Sequence, residues 1–157
     1  PGDYRSFLKK RLGESVFSEG FYEDESGKII GKHKGYPFYT VGQRRGLGLN
    51  LQHPVFVKEI SAQDNRVVIA SLSGMYKIRM ILKSVNVIDS SDFDGRCAIT
   101  CRIRYRKQNT PCRVFFISDN RAEVRFEEPV HSVAPGQAAA FYCGDRLLGG
   151  GIIVSAE

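Results

Sequence analysis

The stretch CAITCRIRYRK, Cys97 to Lys107, alternates apolar and basic side chains. Successive side chains of a β-strand point to opposite faces, so this pattern predicts a strand over Arg96–Arg106. One face carries Cys97, Ile99, Cys101 and Ile103, and the other carries Ala98, Thr100, Arg102, Arg104 and Arg106. The arginines are then spaced about 6.6 Å apart at ordinary strand rise. Guanidinium groups bind phosphate bidentately and stack on bases, so a row of them at this spacing points to RNA or DNA.

Outward from this strand, the chain from Leu82 onward is a series of short strands. They are expected at Leu82–Ile88, Arg96–Arg106, Cys112–Ser118, Glu123–Glu127, Gln137–Cys143 and Leu147–Val154. Turn-forming residues separate them: Asp94-Gly95, Gln108 to Pro111, Asp119-Asn120, Ala134-Pro135-Gly136 and Gly144-Asp145. Six strands joined by tight turns predict a small closed barrel. Before Ser73-Gly74 the pattern differs. Asp3 to Leu12 reads as a short amphipathic helix capped by Asp3 and stopped by Gly13. Gly20 to Lys32 reads as a hairpin turning at Glu25-Ser26-Gly27, and PVFVKEI and RVVIASL as two further strands. Thr40 and Gln43 have the spacing of a capping box, which predicts a helix of barely two turns ending at Gly46. The expected fold is mainly β: a small α+β central module over residues 1–74, then a six-stranded antiparallel β-barrel over 75–157.

Composition fits this reading. The chain has 157 residues, 42% of them hydrophobic and 25% charged, with a net charge of +6. No apolar run approaches a membrane span and the first residues lack the apolar core of a secretory signal, so no membrane partner and a cytoplasmic location are expected. The positive charge is concentrated. Arg96 to Arg113 holds six basic residues and no acid, and Lys28 to Arg45 holds five and no acid. Cys97 and Cys101 on one strand face would have Cα atoms about 13 Å apart, too far for a disulfide. With no CxxC and no histidine at ligand spacing, the four cysteines are expected to be reduced, and no metal site is expected.

Gly42 to Gly48 (GQRRGLG) lacks the third glycine of a dinucleotide loop and the Lys-Ser/Thr of a P-loop. Its glycines suit a bend, while Gln43, Arg44 and Arg45 are placed to touch an RNA backbone or base edges. Ala134-Pro135-Gly136-Gln137 has the residues of a type II turn, after which the Gln137 amide is positioned to read a base or a 2′-hydroxyl. Gly149-Gly150-Gly151 interrupts the last strand, as a bulge, a close backbone approach or, the favoured reading, a barrel corner. No catalytic constellation is present. Cys112 beside the basic stripe could be a reactive thiolate, but an inert structural thiol is the plainer reading.

In order and spacing, YRSFLKKRL (Tyr4–Leu12), GKHKG (Gly31–Gly35), YTVGQRRGLGL (Tyr39–Leu49), IRYR (Ile103–Arg106), APGQAAAFY (Ala134–Tyr142) and LGGGI (Leu148–Ile152) resemble the C-terminal part of the bacterial tRNA-specific 2-thiouridylases. The resemblance covers that family's central domain and C-terminal barrel. The family's nucleotide loop, Ser-Gly-Gly-x-Asp-Ser, and its catalytic cysteines have no counterpart here, so no residue of this chain is expected to be catalytic. The resemblance implies a parent enzyme that converts the wobble uridine of tRNA to 2-thiouridine. ATP and Mg would bind in an N-terminal domain, and a persulfide sulfur donor protein would act as partner. It also implies tRNA contacts at Arg104, Tyr105 and Gln137. Arg102, Arg106, Gln43, Arg44 and Arg45 are added from charge and exposure. Arg104 and Tyr105 both reach RNA only if the strand ends or bulges near them. The alternative is a translation-factor-like barrel that binds the ribosome or a protein and has no enzymatic role.

Overall fold

A computed structural model describes residue 11 and residues 17–104, 109–131 and 133–157. The expected helix at Asp3–Leu12 and the positions of Tyr105 and Arg106 lie outside the described residues, apart from Arg11. The chain divides into two compact units, Pro1–Met75 and Tyr76–Glu157.

The first unit contains a four-stranded sheet. Its strands are β1 (Gly20–Glu23), β2 (Ile29–His33), β3 (Phe56–Ser61) and β4 (Arg66–Ala70), in the spatial order β2-β1-β4-β3. β1 and β4 run parallel and the other pairs are antiparallel. The β1–β2 turn falls at Glu25–Gly27, where Asp24 accepts hydrogen bonds from the Ser26 and Lys28 N–H groups. Tyr22, Val57, Val67 and Ile69 fill the core together with Leu47, whose carbonyl accepts a 2.9 Å hydrogen bond from the Tyr22 hydroxyl. Asn65, in the β3–β4 turn, ties the unit together. Its amide donates to the Ser18 and Glu19 carbonyls and accepts from the Tyr36 N–H.

The helix expected from Thr40 to Gly46 does not form. The capping contact is present, since the Gln43 side chain accepts from the Thr40 N–H at 3.0 Å. The backbone, however, pairs with β3: Gly42 N–H donates to the Val57 carbonyl and Val57 N–H to the Gln43 carbonyl. These two sheet-like bonds take groups a helix would have used, and so short a helix lacks the length to compete.

The second unit is a closed antiparallel barrel of six strands. They are β5 (Tyr76–Val87), β6 (Ile99–Arg102), β7 (Thr110–Ser118), β8 (Arg121–His131), β9 (Ala138–Cys143) and β10 (Arg146–Ala156). Their order around the wall is β10-β5-β8-β7-β6-β9. Alternate side chains fill the interior, among them the fully buried Met80, Leu82, Val124, Phe141 and Leu148. The Gly149–Gly151 run is explained by close approach with bulging. A Cβ on Gly149 would meet the Asn86 carbonyl and Val87 Cα, and one on Gly150 the Ala139 carbonyl, while register shifts fall at Leu147/Gly149 and Gly150/Ile152. The three glycines let β10 lie tightly between two neighbours, where a corner had been expected.

Two corrections concern the cysteines and the strand that holds them. β6 is only four residues long, and Cys97 precedes it. Cys97 is disulfide-bonded to Cys143, with Cα atoms 6.1 Å apart. The β6–β9 register pairs Ile99 with Cys143 and so brings Cys97 to the end of β9. Distances along one strand exclude Cys97–Cys101 but do not reveal a partner on another strand. Cys101 and Cys112 are free and buried, as expected.

Candidate nucleic-acid interface

The β6–β9 ladder builds the site. It runs from Ile99↔Cys143 to Arg102↔Ala140, with the disulfide closing one end. Beyond the other end, β6 leaves the sheet after Arg102, and β9 starts after the Pro135-Gly136 turn. Between these two chain ends lies an open groove of about 590 Å³, lined by Arg102, Ile103, Arg104, Gln137 and Ala138.

Each lining residue has a distinct setting. Ile103 is buried and anchors the segment after β6 to the core. Arg104 is exposed, with no hydrogen bond or ion pair among the described residues. Because β6 ends at Arg102, Arg104 lies past the ladder, at the strand end that contact from two adjacent residues requires. Arg102 is half-buried and held on two sides. Its Nε donates to Asn109 Oδ1 at 2.7 Å, and its guanidinium carbon sits 4.9 Å from the centre of the Tyr142 ring. A guanidinium fixed this way loses little freedom on meeting an anion.

Gln137 follows a turn closed by its own N–H bonding to the Ala134 carbonyl, with Gly136 at φ +85°. Its amide is half-buried, less exposed than expected. Its Oε1 is buried with no hydrogen-bond donor among the described residues. Such an acceptor costs about 1–3 kcal/mol while unpaired. The site thus offers two guanidiniums for phosphate beside the half-buried Gln137 amide, whose oxygen has to turn outward to meet a donor group.

The structure brings Arg102, Arg104 and Gln137 together. Gln43, Arg44 and Arg45 belong to the first unit. There Arg44 and Arg45 are exposed, whereas the Gln43 amide is engaged at both ends, accepting from Thr40 and donating to the Arg45 carbonyl. Tyr105 and Arg106 lie outside the described residues. Tyr142 and Asn109, which hold Arg102, were not anticipated from the sequence. Nothing marks them until the register places them beside β6.

Among the described residues no group of three His, Cys, Asp or Glu side chains could hold a metal ion. The Cys101 thiol is pushed far up by its hydrogen bond with Cys112 and by burial, the opposite of an activated nucleophile. No helix among the described residues is long and apolar enough to cross a membrane.

Comparison with known proteins gives two family matches, the tRNA methyl transferase PRC-barrel domain over residues 5–71 and the aminomethyltransferase beta-barrel domain over residues 77–153. The chain is 47% identical over 154 residues to tRNA-specific 2-thiouridylase MnmA 2 of Phocaeicola vulgatus, covering 98% of this chain and 44% of that protein. It is 46% identical over 167 residues to MnmA 1 of Bacteroides fragilis, covering 100% of this chain and 46% of that protein. A thiouridylase of Carboxydothermus hydrogenoformans is 41% identical over 96% of the chain. The chain therefore spans somewhat under half the length of the curated relatives it matches.

Proposed function

The chain belongs to the tRNA-specific 2-thiouridylase family, and we propose that it is the tRNA-docking part of such an enzyme, with no activity on its own. The observation that carries this reading is the groove of Arg102, Arg104 and Gln137 at the open end of the β6–β9 ladder. Two guanidiniums meet phosphates, and the unpaired Gln137 acceptor meets a base amino group or a 2′-hydroxyl, the group that separates RNA from DNA.

In the parent reaction the C2 oxygen of the wobble uridine is adenylated and then replaced by sulfur from a cysteine persulfide, with AMP leaving. ATP supplies the adenylyl group. By the family resemblance ATP and Mg bind in an N-terminal part of the parent protein, and among the described residues no group of three His, Cys, Asp or Glu side chains could hold a metal ion. A sulfur donor protein and a cytoplasmic location belong to the same reading. This chain's task is to hold the tRNA while its wobble base is treated elsewhere.

The test is binding of the purified chain to an unmodified tRNA transcript across a salt series. Binding should weaken steeply with salt, and Arg104→Ala should reduce both affinity and the salt slope, by about 0.7–0.9 for a lost phosphate contact. Gln137→Ala should lower affinity with the slope unchanged, since it removes no charge. Binding that ignores salt, or an Arg104→Ala chain that is folded and binds as before, would refute the assignment.

A further inference from the structure

Register places three arginines side by side on the outside of the barrel, away from the groove. Arg125 of β8 is directly opposite Arg79 of β5 on one side and Arg113 of β7 on the other. Their neighbours along the strands, Met80, Val124, Phe126 and Cys112, are buried, so the arginines face outward. Four residues along, past the Ile81–Glu123 pair, Lys83 of β5 is opposite Arg121 of β8.

Like charges directly opposite on a sheet destabilise it. The row is only partly neutralised. Glu123 serves both Arg125 and Arg79, and Glu157 serves Arg79. Arg113 has no ion pair among the described residues, although Glu127 lines the same outer hollow as Arg113. Arg125 lies over the Phe115 ring at 4.8 Å, which fixes it as Tyr142 fixes Arg102. Strands are about 4.8 Å apart, so the row spans about 10 Å of wall.

The row also connects with the groove. Thr100 of β6 is opposite Pro111 of β7, with Arg102 two residues beyond Thr100 and Arg113 two residues beyond Pro111 in the other direction. All four positions share the outer face, which puts Arg102 and Arg113 about 14 Å apart. The outer face therefore carries basic groups at both ends, Arg104 and Arg102 at one and Arg113, Arg125 and Arg79 at the other, joined across Thr100/Pro111 where Glu127 of β8 lines the same hollow.

We infer that the outer row Arg113, Arg125 and Arg79 is a second phosphate-binding site, which takes the sugar–phosphate backbone of RNA leaving the groove and reads no sequence. Its connection with the groove rests on the reading that the groove docks RNA. An RNA backbone fits better than an acidic protein segment because basic groups stand at both ends of the outer face and because planar guanidiniums held on aromatic rings suit repeated phosphates.

The experiment uses the 157-residue chain with an unmodified tRNA transcript, an unrelated RNA hairpin and poly-L-glutamate as probes. Arg113→Ala, which breaks no ion pair, and Arg125→Ala should each weaken both RNAs equally and lower the salt slope by about 0.7–0.9. Arg125→Lys, which keeps the charge on the Glu123 side, should restore most of the slope. Circular dichroism confirms the fold of each variant. Folded Arg113→Ala and Arg125→Ala chains with wild-type affinity and slope overturn the proposal, whatever Arg104→Ala does. Loss of poly-L-glutamate binding with tRNA binding intact also overturns it and makes the row a protein-docking surface. If the row variants weaken tRNA binding while Arg104→Ala does not, the row stands and the groove assignment falls. A wild-type chain that binds neither RNA removes both.

Discussion

Arg102 and Tyr142 form a stacked pair across the β6–β9 ladder, the guanidinium carbon 4.9 Å from the ring centre. The contact, with the 2.7 Å bond from Arg102 Nε to Asn109 Oδ1, holds a cation at the mouth of the groove. A cation–π contact of this half-exposed kind is worth about 0.5–1 kcal/mol. Tyr142→Leu should therefore weaken tRNA binding about two- to five-fold with no change in salt slope, because no charge is lost. Tyr142→Phe keeps the ring and should bind as the wild type does. Fluorescence anisotropy with labelled tRNA at two salt concentrations reads both effects, and a Leu variant of undiminished affinity would show that the stack does not position Arg102.

The barrel core makes an independent prediction. Phe141 is fully buried in β9 and stacks edge-on against Phe93, 5.8 Å away. Truncation of a core phenylalanine costs about 3–5 kcal/mol through lost transfer energy and the cavity left behind. Phe141→Ala should lower the urea midpoint of the barrel sharply, whereas Phe141→Leu should cost much less. Since β9 and the turn before it supply Ala138 and Gln137 to the groove, tRNA binding should fail in parallel with unfolding and not before it.

The alternation of CAITCRIR predicts Cys101 and Ile103 on the buried side and Arg102 and Arg104 on the other, as found, but the strand itself is only Ile99–Arg102, with Cys97, Ile103 and Arg104 outside it. Turn residues located β7, β9 and β10 to within two positions, because Asp-Asn, Pro-Gly and Gly-Asp pairs act locally, whereas β5 begins at Tyr76, six residues before the expected Leu82, and β8 runs on to His131, four beyond the expected Glu127. Three features depended on contacts between distant residues and were not legible. The Cys97–Cys143 bond depends on which strand lies beside β6. The Thr40–Gly46 segment has helix-capping residues, yet its backbone bonds to Val57. The settings of Arg102 and of the row Arg79, Arg125 and Arg113 exist only once registers are fixed, since each arginine comes from a strand that looks ordinary alone.

The disulfide gives a redox prediction. Cys97 and Cys143 are 46 residues apart, and closing a loop of that length restricts the unfolded chain by about 4 kcal/mol in the chain-entropy account. Reduction with dithiothreitol should lower the barrel's urea midpoint, and Cys97→Ser/Cys143→Ser should have the reduced midpoint with or without reductant. Mass spectrometry after alkylation of the folded, oxidised chain should find Cys101 and Cys112 unlabelled, because both are buried. Equal midpoints in the presence and absence of reductant would show that the bond contributes nothing to the fold.

His33 sets the pH dependence of the first unit. It is buried between Tyr22 and Tyr39, with ring centres at 5.2 and 5.4 Å, and its Nδ1 accepts the Gly35 N–H at 3.1 Å. The neutral ring therefore carries its proton on Nε2, which is buried without an acceptor among the described residues. Protonating Nδ1 would break the Gly35 bond and create a charge away from water, so burial, outweighing an opposing pull from the Asn65 backbone, holds the His33 pKa below its ordinary value. The unfolded chain, with a histidine pKa near 6.5, then binds the proton more readily than the folded one. Stability contributed by neutral His33 is fully present above about pH 6.5 and is lost as the pH falls from there through the lower folded value. Asp24, Asp89 and Asp94 are held below the usual carboxylate range by hydrogen bonds, from the Ser26 side chain first, from the Ser91 backbone and from the Arg96 side chain respectively. Their contributions fade only below about pH 4, in a separate window. The urea midpoint should thus fall between pH 7 and pH 5 in the wild type and stay flatter in His33→Gln, whose side chain does not titrate. An NMR titration of the His33 ring with a midpoint at or above 6.5 would contradict this account.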